Sequence, residues 1–170
     1  RGAKDYYKQY FGEFFGDEEI QVRKLNSQWV IAGWDSAHPN DWLTASGTVR
    51  RSTIQATENL LSSFSEKTRF IIVNHYPLTF PEGWKVDHFH ELYNFVPVRN
   101  WILRQPNIRL YLHGHIHLNW QHRLPRDSSP ELLFLNSASS TSRLYPGQKS
   151  SFHKIELAGD KIKVTPILLK

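Results

Sequence analysis

The sequence contains no cysteine among its 170 residues, and this absence removes three classes of chemistry. Without thiols the chain forms no disulfide, builds no thiolate zinc site and carries no cysteine nucleophile. Any bound metal ion must therefore be held by histidine, aspartate, asparagine or glutamate side chains. Because there is no thiol to oxidise, the cysteine count leaves the redox compartment open.

Long apolar runs are also missing. No stretch approaches the roughly 20 residues that a helix needs to cross a bilayer, and the run Phe70–Val73 is only as long as a strand. We expect a soluble chain without a membrane span, and its localisation is left open. Methionine is absent too, and no signal-peptide pattern follows Arg1. We therefore expect that a preceding segment has been removed.

The positive charge of the chain is not concentrated in one place. Lys and Arg outnumber Asp and Glu by 21 to 16, which gives a net charge of +5, but no basic run or basic tail occurs. A dispersed excess suits an anionic substrate weakly and argues against a nucleic-acid binder. Hydrophobic residues make up 39% of the chain, a proportion that favours a folded core over disorder. Residues 1–170 are expected to form a single domain.

Alternating strand and helix signals predict an α/β fold. Continuous apolar runs, above all Phe70–Val73, are typical of strands that are buried on both faces of a sheet. Asn26 and Ser27 separate two shorter runs and predict a hairpin turn. The predicted strands are Ile20–Leu25, Trp29–Gly33, Phe70–Val73, Ile108–Leu112 and Leu132–Leu135, followed by a hairpin over Phe152–Leu169 that turns at Gly159 and Asp160.

Two helices are predicted between these strands. Ser52 and Gln55 have the spacing of a capping box, so we expect the first helix to begin there and to continue to Ser65. Pro97 suits the first position of a second helix, which Pro106 would end. The remaining assignments are a long loop at 78–96 and a short helix or ordered loop at 1–15.

Polar residues follow three of the predicted strands. Asp35, His75 and the cluster 113–117 each come at a strand's carboxyl end, and ligands of α/β sheets collect at such ends. We expect His75 and His115 to share one metal ion and His117 to point at another. Neutral imidazoles are common ligands of Zn, Fe and Mn. The sequence therefore predicts a histidine metal site at this edge of the sheet.

The other histidines have more ordinary explanations. His38, His122 and His153 are interpreted as hydrogen-bonded residues without a functional role, because a lone histidine near a strand end is usually of that kind. His88 and His90 lie in the long loop, where exposed polar residues are common. We assign these two as candidate substrate contacts.

The spacing of two motifs resembles a known enzyme family. Residues 74–77, Asn-His-Tyr-Pro, and residues 114–117, Gly-His-Ile-His, look like the last two metal-binding motifs of the calcineurin-like metallophosphoesterases. Residues 34–36, Trp-Asp-Ser, are similar to an earlier strand end of that family. The resemblance covers about residues 28–140. It implies a layered αββα sandwich of which this chain covers roughly the C-terminal half.

The resemblance also implies a reaction and a ligand set. His75 and His115 would bind one ion and His117 the other, with two divalent or trivalent ions (Mn, Fe or Zn) serving two-metal hydrolysis of a phosphoester. The stretch 84–94 is loosely similar to a loop beside the substrate cleft in the cyclic-nucleotide phosphodiesterase branch. Its aromatic residues Trp84, Phe89 and Tyr93 could stack on the base of a nucleotide substrate, or they could simply pin the long loop to the body of the domain.

The family's first three motifs are not found in the chain. Neither Asp-x-His, Gly-Asp-x-x-Asp nor Gly-Asn-His followed by Asp or Glu occurs. No catalytic residue is therefore assigned here, and the bridging aspartate and the histidine that assists the leaving group are expected upstream of Arg1. The fragment alone is expected to be inactive.

Two other classes of function compete with this interpretation. A catalytically inactive phosphoesterase-like binding domain is the main alternative, because the acidic motifs are missing. A serine hydrolase built on Asp35, Ser36 and His38 is disfavoured, since there is no Gly-x-Ser-x-Gly elbow and three near neighbours do not easily form a triad.

Overall fold

A computed structural model describes residues 18–37, 45–85, 91–137 and 150–169. This part of the chain contains two helices, α1 (Arg51–Ser62) and α2 (Phe95–Leu103). Its strands are β1 (Ile20–Lys24), β2 (Trp29–Trp34), β3 (Arg69–Val73), β4 (Ile108–His113), β5 (Trp120–Arg126), β6 (Ser129–Asn136), β7 (Ser151–Ala158) and β8 (Lys161–Leu168). The predicted α/β fold is confirmed. The assignment at 1–15 lies outside the described residues.

Six strands form one sheet in the order β1-β2-β3-β4-β6-β5. The central strands β2, β3, β4 and β6 run parallel, and each edge strand is antiparallel to its neighbour. Parallel strands place their carboxyl ends along one edge of the sheet. The last residues of the central strands at this edge are Trp34, Val73, His113 and Asn136. β7 and β8 form a separate antiparallel pair.

The two faces of the six-stranded sheet bury different side chains. One face packs against both helices, and its buried residues include Trp34, Phe70, Ile102, Tyr111 and Phe134. The other face buries Trp29, Ile71, Leu110, Leu133 and Leu135. That second face is covered by partly buried side chains of the β7–β8 hairpin, namely Ile155, Leu157, Ile162 and Val164. The helices and the hairpin thus lie on opposite faces of the sheet.

The predicted turn at Gly159 and Asp160 is confirmed, and hydrogen bonds join it to the sheet. Gly159 has a φ of 54°, which suits glycine, and its carbonyl accepts a hydrogen bond from Trp29 Nε1 at 3.2 Å. Asp160 Oδ1 accepts hydrogen bonds from Arg69 Nε at 2.5 Å and from Arg109 Nη1 at 3.3 Å. Because Arg109 is buried, Asp160 supplies the counter-charge of a buried guanidinium.

Helix α1 begins one residue earlier than predicted, and the predicted capping box is wrong. The N-cap is Arg50, without a side-chain capping bond, and Ser52 lies inside the helix. The chain before the helix is held by Asn94 instead. Its Oδ1 accepts from the Val49 N–H at 3.1 Å, and its Nδ2 donates to the Val49 carbonyl at 2.8 Å. A contact distant in sequence therefore fixes the start of this helix.

Helix α2 and strand β5 also differ from the sequence predictions. Pro97 is the third residue of α2 rather than the first, and it costs no hydrogen bond there because the first four N–H groups of a helix have no helical acceptor. β5 is not predicted by the sequence, since Pro125 and several polar residues obscure any alternation. It is an edge strand whose pairing shifts register between Leu124 and Arg126, and such strands tolerate proline.

Candidate metal centre

His75 and His115 lie side by side at the carboxyl edge of the sheet. β3 and β4 are parallel neighbours with Val73 opposite Leu112, as predicted, so the turns that follow them meet. His115 Nδ1 lies 3.1 Å from His75 Nε2, and the two ring centroids are 5.0 Å apart. The predicted proximity of these imidazoles is confirmed.

This spacing suits two ligands of one metal ion. Nitrogens bound at about 2.0–2.1 Å to a tetrahedral or octahedral ion lie roughly 2.9–3.4 Å apart, and the observed separation between His75 and His115 falls within that range. Burial, followed by the charge of nearby His117, lowers the pKa of His75. A lowered pKa favours the neutral imidazole, the form that binds metals. The pair therefore fits a metal ion of the kind that prefers nitrogen ligands.

The described residues do not assemble a complete metal cage. In the ranges 18–37, 45–85, 91–137 and 150–169, no group of three or more His, Cys, Asp or Glu side chains is arranged to hold a metal ion. His117 shares the turn with His115 and lies close enough to His75 to influence its pKa. Its role as ligand of a second ion stays a prediction.

Three other candidate residues, Asp35, His88 and His90, add no metal ligand within the described part of the chain. Asp35 is exposed at the end of β2, where its Oδ1 accepts a hydrogen bond from the Ala37 N–H at 3.2 Å. His88 and His90 lie within residues 86–90, outside the described part of the chain. Their contact with substrate stays a prediction.

The turn that carries His115 and His117 has an unusual backbone. φ is 71° at His115 and 54° at His117, a left-handed region that residues other than glycine rarely occupy. The Ile116 N–H donates to the Gly114 carbonyl at 2.9 Å, which closes a γ-turn on His115 in its rare, positive-φ form. Conformations of this kind cost of order 1–3 kcal/mol each and concentrate at functional sites. The backbone thus marks this turn independently of its histidines.

Backbone contact joins this turn to the one that carries His75. The Gly114 N–H donates to the His75 carbonyl at 3.0 Å. Packing does not require glycine at 114, because a Cβ there would lie 3.7 Å from His75 Nδ1, an ordinary contact. Of the glycines in the described ranges, Gly47 is the one that packing requires. A Cβ at 47 would overlap Cε2 of the Tyr76 ring, and it would lie 2.8 Å from Cδ2 of that ring and 2.6 Å from the Ser36 carbonyl oxygen.

A buried hydrogen-bond network supports His75. Asn74 Oδ1 accepts hydrogen bonds from Ser36 Oγ at 2.5 Å and from the His75 N–H at 2.9 Å. Asn74 Nδ2 donates to the Tyr111 hydroxyl at 2.9 Å, and that hydroxyl donates to the Tyr76 carbonyl at 2.8 Å. The network ties the ends of β2, β3 and β4 together. Sequence analysis missed these supporting roles, for which the only signal was the polar residues Ser36 and Asn74 shortly after β2 and β3.

His113 is a further histidine that sequence analysis did not single out. It is 7% exposed as the last residue of β4, and its ring lies 5.8 Å from that of Tyr111 and 6.1 Å from that of Trp120, centroid to centroid. Burial lowers the pKa of His113 to about 4, so its imidazole is neutral at physiological pH. Its Nδ1 lies 3.2 Å from the Gly114 carbonyl oxygen. The available signal was a histidine that ends an apolar strand.

Comparison with known proteins agrees with this geometry. The sequence profile named calcineurin-like phosphoesterase matches residues 2–119, which include both histidine motifs. No curated protein matches the chain significantly. Among the described residues, no helix has the length and apolar character needed to cross a membrane. Since the profile spans more than half of the sequence, the chain belongs to the calcineurin-like phosphoesterase family.

Proposed function

We propose that the complete protein is a metal-dependent phosphoesterase whose centre includes His75, His115 and His117. The observation that carries this proposal is the 3.1 Å separation between His75 Nε2 and His115 Nδ1 in a chain of this family. We assign one ion to His75 with His115 and a second ion to His117. When bound, two Mn, Fe or Zn ions supply Lewis-acid activation of water and neutralise phosphoryl oxygens.

In the proposed reaction, the residues of this chain bind the metal ions and hold the ligand side chains in orientation. Asn74 and Tyr111 fix the turn of His75, so that its Nε2 faces His115 before any ion arrives. Preorganisation of this kind reduces the cost of ordering ligands upon binding. The substrate is a phosphoester, and we extend the proposal to monoesters, diesters and nucleotides, with His88 and His90 as candidate substrate contacts.

The sequence contains no motif that would supply the other residues of a two-metal centre. We place the bridging aspartate and the histidine that assists the leaving group in a segment before Arg1. On this proposal residues 1–170 form one domain, the C-terminal half of a layered αββα sandwich. The helices and the β7–β8 hairpin on opposite faces of the sheet support it, because they correspond to one helical layer, one sheet and part of a second sheet. The isolated chain would then be inactive.

A catalytically inactive phosphoesterase-like binding domain is the second candidate. It is favoured by the observation that, in the described ranges, no three or more potential ligands are arranged so that they could hold a metal ion. Both candidate functions predict the same fold, but only the phosphoesterase would turn over a substrate.

Hydrolysis of bis(4-nitrophenyl) phosphate by the complete protein, supplied with Mn²⁺, Fe²⁺ or Zn²⁺, tests the proposal. We expect His117→Ala to lower kcat/KM by roughly 100-fold or more, since even residues behind the ligands change activity 10- to 100-fold. His122→Ala is the matched control, because His122 lies on β5 and has no part in the proposed centre. Undiminished activity and metal content in His117→Ala would contradict the assignment. Metal binding without turnover of monoester, diester or nucleotide would favour the binding domain.

A further inference from the structure

The turn at 114–118 is held at both ends by two residues that are neighbours across the sheet. His113 on β4 and Asn136 on β6 are aligned in register, and both are buried. At the start of the turn, His113 Nδ1 lies 3.2 Å from the Gly114 carbonyl oxygen. At its end, Asn136 Nδ2 donates a hydrogen bond to the Leu118 carbonyl. The left-handed residues His115 and His117 lie between these two contacts.

The contact at the start of the turn fixes a tautomer. A carbonyl oxygen only accepts hydrogen bonds, so the proton of His113 lies on Nδ1. The Gly114 carbonyl then accepts from two donors, the Ile116 N–H and His113 Nδ1. Because the Gly114 N–H is bonded to the His75 carbonyl and the Leu118 carbonyl to Asn136, the chain is held on both sides of His115. The local route by which His115 relaxes to negative φ is then a rotation of the peptide that joins residues 114 and 115, which turns the Gly114 carbonyl away from both donors. The hydrogen bond from His113 therefore opposes relaxation of the turn.

We propose that His113 and Asn136 are positioning residues, which hold His115 and His117 in their left-handed conformations and so keep both imidazoles oriented for metal binding. Neither is proposed as a ligand. The expected effect on metal affinity rests on the proposed function. The fixed turn itself is independent of that function. Both residues lie outside the two histidine motifs that carry the family resemblance. Their proposed role is to hold the backbone of the turn.

Four variants of the complete protein separate this role from simple packing. His113→Phe keeps the size of the ring and removes the donor, whereas His113→Asn restores an N–H donor. Asn136→Leu keeps the shape of the side chain and removes its donor. His122→Phe is the matched control, because His122 on edge strand β5 packs against the same Trp120 ring, 5.6 Å away centroid to centroid.

Two measurements are needed. Calorimetric titration with Mn²⁺ gives the metal affinity, and hydrogen exchange of the metal-free protein, followed by mass spectrometry, reports on the peptide 113–119. We expect His113→Phe and Asn136→Leu to weaken Mn²⁺ binding about 10- to 100-fold and to speed exchange in that peptide. His113→Asn should recover most of the affinity and slow exchange, and His122→Phe should change neither.

The outcomes distinguish this inference from the proposed function. Wild-type affinity together with unchanged exchange in His113→Phe would overturn the positioning role and leave the metal site intact. If the wild-type protein binds no Mn²⁺, the proposed metal site fails and exchange alone decides the positioning role. Faster exchange in His113→Phe and Asn136→Leu but not in His122→Phe would then support it. Equal exchange in all variants, or no rescue by His113→Asn, would overturn it.

Discussion

The buried hydroxyl of Tyr111 gives the sharpest stability prediction. Tyr111 is 0% exposed, and burial raises the pKa of its hydroxyl, so that the group stays protonated as a donor. Tyr111→Phe removes one oxygen and leaves the Asn74 amide and the Tyr76 carbonyl without these partners. Each buried polar group left unpaired costs about 1–3 kcal/mol. Because neighbouring losses do not add fully, we expect a decrease of about 2–4 kcal/mol in the free energy of unfolding.

Urea unfolding followed by circular dichroism measures this loss. For a domain of this size it corresponds to a fall in Tm of roughly 5–15 °C. Tyr93→Phe is the matched control, since the Tyr93 side chain is 58% exposed and surface changes usually stay within about 0.5 kcal/mol. If Tyr111→Phe were as stable as this control, the hydrogen bonds among the three strand ends would contribute nothing net, and the support proposed for His75 would be wrong.

Two further predictions concern the hairpin turn and the glycines. The hydrogen bond from Arg69 lowers the pKa of Asp160 below its ordinary 3.8, so stability from this carboxylate is present above that value and is lost as the pH falls through the lowered pKa. Urea unfolding should therefore show Asp160→Asn less stable than wild type at neutral pH, with the difference shrinking as the pH falls below 3.8, and a constant difference would contradict this. Gly47→Ala should destabilise by about 1–3 kcal/mol because its Cβ overlaps the Tyr76 ring, whereas Gly114→Ala should unfold close to wild type. Equal Tm values for the two variants would refute the packing argument.

The central strands could be predicted because burial on both faces leaves a direct trace in sequence. Phe70–Val73 and Leu132–Leu135 are continuous apolar runs, and both lie in parallel strands of the sheet. β5 leaves no such trace because, in the described part of the chain, it is an edge strand with half-buried and exposed side chains, and Pro125 interrupts its pattern. The start of α1 could not be found from local residues either, since Asn94 determines it from 45 residues away.

For the site, the sequence predicted where the histidines lie but not which residues support them. His75 and His115 were placed together because each follows a strand and parallel strands end at one edge. The γ-turn at His115 and the tautomer of His113 depend on hydrogen bonds to a particular carbonyl, which no residue pattern specifies. Asn74 likewise acts through Ser36 and Tyr111, which lie 38 and 37 residues away in the chain. Roles of this kind become visible only once the strands are assembled.

The hairpin that covers the second face of the sheet has a consequence for synthesis of the chain. A two-stranded hairpin is at best marginally stable alone, so β7 and β8 become ordered by packing on the sheet. Its turn bonds to residues far earlier in sequence, 130 residues for Trp29 with Gly159 and 91 for Arg69 with Asp160. Until β8 has left the ribosome, the apolar face formed by Trp29, Ile71 and Leu110 lacks the hairpin that packs on it. The nascent chain therefore exposes a surface suited to chaperone binding or to aggregation, and slow translation prolongs that state.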